Sequence, residues 1–194
     1  MLKLYQSNRV EYLVDLLADV ISRPLQDPFS PETIVVQHPA MGRWLSLRLA
    51  DRLGVCANTR FPLPAGFVWS MFRLLMGDVP EQNRFAPAVM QWRIFELLDE
   101  LRNEKAFAPV GAYLRSVDRV GRYELAGRIA DCFDRYLVYR PDWIQRWEKG
   151  QSAVEGDAWQ AELWRGLVHS LGSDHWARLM GRFIDTHGRP PEKL

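Results

Sequence analysis

The stretch TIVVQHPAMGRWLSLRLADRLG, residues 33–54, determines the fold class of the first part of the chain. Thr33–Gln37 is a β-branched run, which predicts a buried parallel strand. A helix is predicted from about Ala40 to Gly54, a residue type that commonly ends helices. Its inward face should contain Met41, Trp44, Leu45 and Leu49. A buried strand followed directly by an amphipathic helix indicates an α/β domain.

The chain on either side of this stretch continues the alternation. LKLYQ (2–6) predicts a first strand, and Asn8 with Glu11 offers a capping box for the helix that follows. The apolar face of that helix should contain Val10, Leu13, Leu16, Leu17, Val20 and Ile21. VCANTRF (55–61) is a possible third strand. Residues 1–80 are therefore predicted to form an α/β domain with a parallel sheet.

The second half of the chain shows only helical periodicity. The periodic segments are 88–103, 123–139, 142–150, 158–171 and 176–187. The final residues, 189–194, are polar and proline-rich, which is typical of a linker. We therefore predict a mostly helical domain over residues 81–188 and a helix-dominated chain overall.

Composition excludes several classes of protein. The chain is 47% hydrophobic and 25% charged, which is typical of a globular protein, and its net charge of +1 gives no general attraction to nucleic acid or membrane. Of the 25 basic residues 21 are arginine, the forked donor that suits phosphates and base edges, although a GC-rich genome would have the same effect. Cys56 and Cys132 are isolated, so neither a disulfide framework nor a zinc site is expected. Without a signal peptide or membrane span, a cytoplasmic bacterial protein is predicted.

Catalytic motifs are missing from the sequence. The turn YQSNRVEYL (5–13), where a nucleotide-binding P-loop would lie, contains no glycine and no lysine, so we predict that this chain does not hydrolyse ATP. Asp131 and Asp134 are spaced i, i+3 on one helix and could hold Mg²⁺, but a solvated or arginine-paired surface is the alternative. Helical His169 is predicted to be a packed residue rather than a metal ligand.

Two segments in the first half contain candidate binding residues. Gln37 ends a strand and Arg43 lies in the first turn of the next helix, where a bound anion would explain a basic side chain. An ordinary amphipathic helix is the alternative. Further along, two prolines hold Leu63 in a stiff loop. Trp69 either stacks on a nucleic-acid base or packs in the core.

The third candidate segment is DRYLVYRPDWIQRW (134–147). Pro141 must end one helix and suits the first turn of the next, so Arg140 lies at a rigid joint. The aromatic residues predicted to pack this joint are Tyr136, Tyr139, Trp143 and Trp147. The charged residues of the segment can donate to and accept from base edges. We therefore predict a structural corner that also presents a ligand-reading surface.

Three stretches resemble the amino-terminal region of the RecC family, the gamma subunits of exodeoxyribonuclease V (RecBCD). They are LKLYQSNRVEYL (2–13), IVVQHPAMGRWLSLRLADRLGVCANTRFPLPAGFVWSMF (34–72) and DCFDRYLVYRPDWIQRWEKG (131–150). The resemblance covers nearly the whole chain. It implies a degenerate superfamily 1 helicase, related to P-loop proteins, that has lost its motor. Residues 1–80 would be its 1A-like α/β domain and residues 81–188 its inserted, helical 1B-like domain.

The resemblance also implies partners and a role. The partners are RecB-like and RecD-like subunits and single-stranded and forked double-stranded DNA, in a complex of double-strand-break repair and homologous recombination. RecC holds the other subunits, splits the duplex and guides the 3′ strand, which is scanned for the Chi sequence. No cofactor is implied for this chain, because ATP and Mg²⁺ are used by the partner subunits.

The DNA- and Chi-binding positions that the resemblance implies include no catalytic and no metal residue. They are Gln37, His38, Pro39, Arg43, Leu63, Trp69, Asp131, Cys132, Asp134, Arg135, Arg140 and Arg178. Five of them depart in residue type from the best-known members: His38, Pro39, Arg43, Cys132 and Arg135. Because proline has no N–H and an arginine favours guanine, we predict that a different or more relaxed Chi sequence is read.

Two other hypotheses stay open. The chain is a structural scaffold whose exposed aromatic residues dock partner subunits without reading bases. Alternatively, it is a metal-dependent nuclease that uses Asp131 and Asp134, although no lysine accompanies the pair at nuclease-like spacing.

Overall fold

A computed structural model describes residues 2–23, 25, 27 and 29–188. Within these residues the chain forms two short strands and nine α-helices. They belong to two compact units that divide between Leu75 and Met76. The protein is thus dominated by helices, as predicted, and the predicted linker 189–194 lies outside the described residues.

The first unit is a small parallel sheet with helices. Its elements are α1 (Val10–Ile21), β1 (Glu32–Thr33), α2 (Pro39–Leu53), β2 (Thr59–Arg60) and α3 (Pro64–Met76), the last residue of α3 opening the second unit. β1 and β2 pair in parallel, with Glu32 opposite Thr59. The pairing continues beyond the strands, because the N–H of Ile34 donates to the carbonyl of Arg60 (2.9 Å) and that of Val36 to Pro62 (3.0 Å). The predicted parallel sheet is therefore confirmed near these segments. The predicted buried strand over Thr33–Gln37 is wrong in extent and in burial, because the strand is only Glu32–Thr33 and Val36 is the buried residue of the run, whereas Thr33 and Val35 are exposed.

The predicted strand at residues 2–6 is wrong. The segment is not a strand, and Leu2 and Leu4 are 93% and 78% exposed. A strand needs a neighbour that accepts and donates its backbone hydrogen bonds, and none of the described residues supplies one here. The capping box is also wrong, because Arg9 is the N-cap of α1 and its side chain makes no capping bond.

The core of the first unit lies between α1, α2 and the extended chain of β1. The fully buried side chains are Val14, Ala18, Val36, Leu45 and Leu49. The predicted inward face of α1 is partly wrong, since Val10, Leu16 and Val20 are exposed, and Met41 on α2 is exposed as well. Both helices are apolar on more than one side, so periodicity alone could not select the buried face.

A close approach fixes α2 against the chain that follows β2. Gly42 is buried, and a Cβ atom at this position would lie 2.8 Å from the Cβ of Phe61. Only glycine therefore leaves room for this contact. At the other end of α2, Gly54 has a φ of 81°, the left-handed conformation that ends the helix as predicted.

The second unit is entirely helical in the described residues. Its elements are α4 (Pro87–Glu100), a 3-10 turn (Lys105–Phe107), α5 (Ala108–Ser116), α6 (Arg119–Tyr139), α7 (Pro141–Glu148), α8 (Ala158–Leu171) and α9 (Trp176–His187). α4 packs along α6, and α8 packs on α4 and α7. Large side chains fill the core, and fully burying each of Phe133, Trp147 and Trp164 contributes about 2–3 kcal/mol.

Candidate functional site

The corner between α6 and α7 is formed by a single residue. Arg140 is the C-cap of α6 and the N-cap of α7. Its N–H donates to the carbonyl of Tyr136 (2.9 Å), and its own carbonyl accepts from the N–H of Trp143 (3.0 Å). Pro141 occupies the first position of α7, where its missing N–H costs nothing. The predicted helix break at Pro141 is confirmed.

An aromatic cluster packs the inner side of this corner. The ring of Tyr136 lies 5.2 Å from that of Trp143 and 5.9 Å from that of Trp147, and Phe133 lies 6.0 Å from Trp147. These are the tilted and edge-to-face arrangements that aromatic rings prefer. The prediction that Tyr139 also packs the joint is wrong, because its side chain is 77% exposed. It lies on the last turn of α6, beyond the residues that α7 covers.

A buried carboxylate, Asp157, holds the aromatic cluster through a hydrogen bond to Trp147. Asp157 is 2% exposed and accepts hydrogen bonds from the indole N–H of Trp147 (2.7 Å) and the hydroxyl of Ser152 (2.7 Å). The backbone N–H groups of Ala153 (2.7 Å) and Val154 (3.0 Å) donate to it as well. Burial opposes ionisation, but these four donors outweigh it and lower the pKa of Asp157 to about 2.

A second buried polar cluster connects α7 to the start of α9. Nδ1 of His175 accepts from the backbone N–H of Arg178 (3.3 Å), so the ring proton is on Nε2 and points at the carboxylate of Glu148 (2.7 Å). The indole of Trp164 donates to the same carboxylate (3.2 Å). Burial acts to raise the pKa of Glu148, but the hydrogen bonds from His175 and Trp164 lower it overall.

This cluster corrects the histidine prediction and fixes one candidate residue. His169, predicted to be packed, is exposed, whereas His175 is buried. As the N-cap of α9, His175 sets the position of the helix start. Arg178 therefore projects, exposed, from a turn of fixed geometry. No sequence pattern identified His175, Glu148 or Asp157, because each acquires its role from residues distant in the chain.

The outer side of the corner carries an arginine in a fixed orientation. Nε and Nη2 of Arg140 donate to the two carboxylate oxygens of Asp142 (3.1 and 2.9 Å), and the guanidinium lies 3.9 Å from the ring centroid of Trp143. The hydrogen bond from Arg140 lowers the pKa of Asp142, and the same bond raises the pKa of Arg140. The pair uses two of the five N–H groups of the guanidinium. Nη1 and one hydrogen of Nη2 stay available as a second donor fork.

The neighbouring face of α6 contains a carboxylate without a hydrogen-bond donor. Asp131, Cys132 and Arg135 are exposed, and Asp134 is half-buried. Burial raises the pKa of Asp134, repulsion by Asp131 raises it further, and the charge of Arg135 opposes both. Among the described residues, none forms a hydrogen bond or ion pair with the Asp134 carboxylate. Of the solvated or arginine-paired surface predicted as the alternative to a metal site, the arginine pairing is not made as a direct contact, and Asp131 is exposed to solvent.

The candidate residues of the first unit lie at the carboxyl ends of its two strands. Gln37 follows Val36, whose N–H bonds to the carbonyl preceding Leu63, so Gln37 and Leu63 are brought together although 26 positions separate them in the sequence. Both side chains are exposed. This edge of a parallel sheet is where open α/β proteins bind their ligands.

The start of α2 differs from the predicted anion site. His38 is the N-cap, and its Nδ1 accepts from the N–H of Ala40 (3.1 Å), so one of the free amides is already bonded. The imidazole nitrogen accepts the capping hydrogen bond that a small polar side chain such as serine, threonine or aspartate usually accepts at this position. Pro39 and Arg43 are exposed, the latter without an ion pair in the described residues. Trp69 is only 9% exposed and lies edge-to-face with Phe72 (6.4 Å), which leaves little ring surface for a base.

The candidate residues thus lie in both units. Those of the first unit follow the two strands or lie on α2 and α3, and those of the second lie on α6, at the corner and on α9. The described part of the chain brings no three His, Cys, Asp or Glu side chains together where they could hold a metal ion. Within the same residues, every helix is too short or too polar to cross a membrane.

Comparison with known proteins identifies relatives of the chain. The sequence profile of the family described as RecC, N-terminal domain, matches residues 2–194. The RecBCD enzyme subunit RecC of Escherichia coli K12 is 41% identical over 196 residues, which covers 96% of this chain and 18% of that protein. The proteins of the same name from Haemophilus influenzae and Mycolicibacterium smegmatis are 35% and 32% identical, over 98% and 89% of this chain and 20% and 16% of their own lengths. The chain therefore spans about a fifth of the length of these relatives.

Proposed function

This chain belongs to the RecC N-terminal domain family, and from that membership we propose that it guides the 3′ single strand and helps to recognise Chi as a non-catalytic part of a RecBCD-type complex. Its partners in this proposal are RecB-like and RecD-like subunits and single-stranded and forked double-stranded DNA. ATP and Mg²⁺ are used by those subunits and not by this chain. The first unit is the degenerate 1A-like domain of a superfamily 1 helicase. The second is its 1B-like domain. The missing P-loop and the helical second unit support this assignment.

The observation that carries the proposal is the state of Asp134. A half-buried carboxylate with a raised pKa and no donor lowers the stability of the folded protein at neutral pH. Such costs are typical of binding and catalytic sites. The carboxylate is well suited to accept a hydrogen bond from the amino group of a base, which would supply the donor that the protein does not.

The orientation of Arg140 supports the same function. Asp142 and Trp143 contact its guanidinium on two sides, so the orientation of the free N–H groups on Nη1 and Nη2 is fixed before a ligand binds. A guanidinium fork matches the two acceptors of guanine, O6 and N7. Arg140 and Asp134 therefore offer one donor group and one acceptor group on adjoining turns of a rigid corner.

The test is Arg140→Ala in the assembled, full-length complex. Assembly and unwinding should persist, whereas Chi-terminated strands should fall about 5- to 150-fold, since a bidentate base contact contributes about 1–3 kcal/mol of discrimination. Arg146→Ala is the matched control, because Arg146 is an exposed arginine of α7 that makes no ion pair in the described residues. Equal losses in both variants would contradict base reading by the corner.

A second variant separates the orientation of Arg140 from its charge. Asp142→Asn leaves Arg140 in place but removes the carboxylate that holds it. We expect an intermediate loss of Chi-terminated strands with normal assembly. An unchanged Chi response would mean that the Arg140–Asp142 pair has no role in recognition.

The scaffold hypothesis is the second candidate function, and one observation favours it. Arg140 already has a carboxylate partner and an aromatic ring, as a purely structural joint would require. In that case Arg140→Ala should impair subunit assembly and unwinding together. Gel filtration of the complex, run beside the Chi assay, separates the two functions.

A further inference from the structure

A second exposed surface of the helical unit lies outside the candidate DNA-binding residues. It is a groove between α4 and α6 of about 360 Å³, lined by Trp92, Phe95, Arg119, Val120 and Tyr123. Trp92 and Val120 are 59% and 62% exposed. Large apolar side chains gathered in one exposed groove are typical of interaction sites rather than of ordinary surface.

The aromatic rings of this groove support one another. The ring of Trp92 lies 4.9 Å from that of Tyr123 and 6.4 Å from that of Phe95, and Phe95 lies 6.1 Å from Tyr123. The guanidinium of Arg119 lies 5.7 Å from the ring of Phe95, and that of Arg122 lies 5.3 Å from it. The groove is therefore preformed, and a ligand would not have to order its walls.

The charges beside the apolar groove are almost fully compensated. Three carboxylates line its continuation: Glu96, Asp99 and Glu100. Arg93 pairs with Glu96 (2.7 Å) and Glu100 (3.2 Å), and Arg122 and Arg102 pair with Asp99. Arg119 is different, because no carboxylate of the described residues pairs with it. One uncompensated guanidinium thus lies at the junction of the apolar and the polar part of the groove.

We propose that this groove docks a segment of a partner protein whose apolar side chains cover Trp92 and Tyr123 and whose carboxylate pairs with Arg119. Tryptophan, tyrosine and arginine are the residue types that dominate protein–protein binding energy. A nucleic-acid strand fits less well, because Glu96, Asp99 and Glu100 already pair with Arg93, Arg102 and Arg122. Arg119 is then a single guanidinium, whereas a phosphate backbone is bound by a row of basic side chains. The proposal does not depend on base reading by the corner.

The first test is photo-cross-linking from the groove. Benzoylphenylalanine replaces Val120 in the full-length protein. The complex of this protein with the subunits that associate with it is then purified and bound to DNA before irradiation. Mass spectrometry should identify a segment of another polypeptide with apolar and acidic residues. Benzoylphenylalanine in place of Ile184, an exposed residue of α9, is the control position and should not give this product. Products formed only with DNA, only within the same chain or only with a second copy would overturn the proposal, as would their absence.

The second test reverses one charge. Arg119→Glu should lower the yield of the cross-link about tenfold or more, and Arg119→Lys should lower it less. Arg119 is the first residue of α6, where an acidic side chain favours the helix, so unfolding would not explain the loss. Arg128→Glu, an exposed arginine of the same helix without an ion pair in the described residues, is the matched control. Loss in both variants or in neither would overturn the pairing with Arg119.

Discussion

Replacing the buried carboxylate Asp157 by an amide should make the protein less stable in a way that depends on pH. In the folded protein the pKa of Asp157 is about 2, against an ordinary value of 3.8. Folding therefore favours the ionised form, and the stabilisation is present above pH 3.8 and is lost as the pH falls towards 2. The difference between the two pKa values corresponds to about 2 kcal/mol at pH 7 and about 1 kcal/mol at pH 3.

Asp157→Asn is the informative substitution because it keeps the shape and removes the charge. Its amide oxygen can still accept from Trp147, Ala153 and Val154, and its amide nitrogen can donate to Ser152. The free energy of unfolding, measured by urea titration with tryptophan fluorescence, should be lower than that of the unchanged protein by about 2 kcal/mol at pH 7. At pH 3 the gap should shrink to about 1 kcal/mol.

The control for this experiment is Glu155→Gln. Glu155 is exposed, lies in the same loop and accepts no hydrogen bond in the described residues. Its substitution should change the free energy of unfolding by less than about 0.5 kcal/mol at either pH. A gap for Asp157→Asn that stays constant from pH 7 to pH 3 would refute the argument. It would mean that Asp157 stabilises the loop by shape alone.

Three further substitutions test other parts of the structure by urea unfolding. Asp134→Asn should raise the free energy of unfolding at pH 7, with the gain fading at low pH, since the raised pKa of this carboxyl makes its ionisation destabilising; a loss of stability would contradict this. Gly42→Ala should cost about 1–3 kcal/mol because its Cβ would overlap Phe61, and an unchanged stability would show that the chain after β2 moves freely. Glu148→Ala should cost about 3 kcal/mol, because it leaves the ring N–H of buried His175 without its acceptor, and an equal loss in Glu148→Gln would argue against the hydrogen bond.

The helices of this protein could largely be predicted from sequence, because their signals are local. Apolar spacing located the helices, and Pro141 and Gly54 located two of their ends. The same spacing did not select the buried faces of α1 and α2. α5 gave no clear signal, since it has nine residues and contains Pro109 and Gly111. The strand at residues 2–6 failed for the opposite reason. Alternation is a local signal, but a strand forms only where a neighbour pairs with it.

In the candidate site, too, the features with a local sequence signal were predictable and those that depend on distant residues were not. The packing role of Trp143 and Trp147 followed from their helical spacing on the helix that begins at Pro141. The anchoring of Trp147 by Asp157 did not, since nothing in the sequence distinguishes that aspartate from the other acids of the chain. Buried polar contacts depend on how distant segments meet, and a one-residue change in packing would give them different partners.

α6 contributes to both surfaces described above. Arg119 at its first turn borders the aromatic groove, and Arg140 closes its last turn at the corner, 21 residues and about 30 Å of helix further on. An uninterrupted α-helix is stiff, so the separation between the groove and the corner is fixed at about 30 Å. A segment bound in the groove would therefore contact the side chains of the corner only if it extended along most of the length of α6.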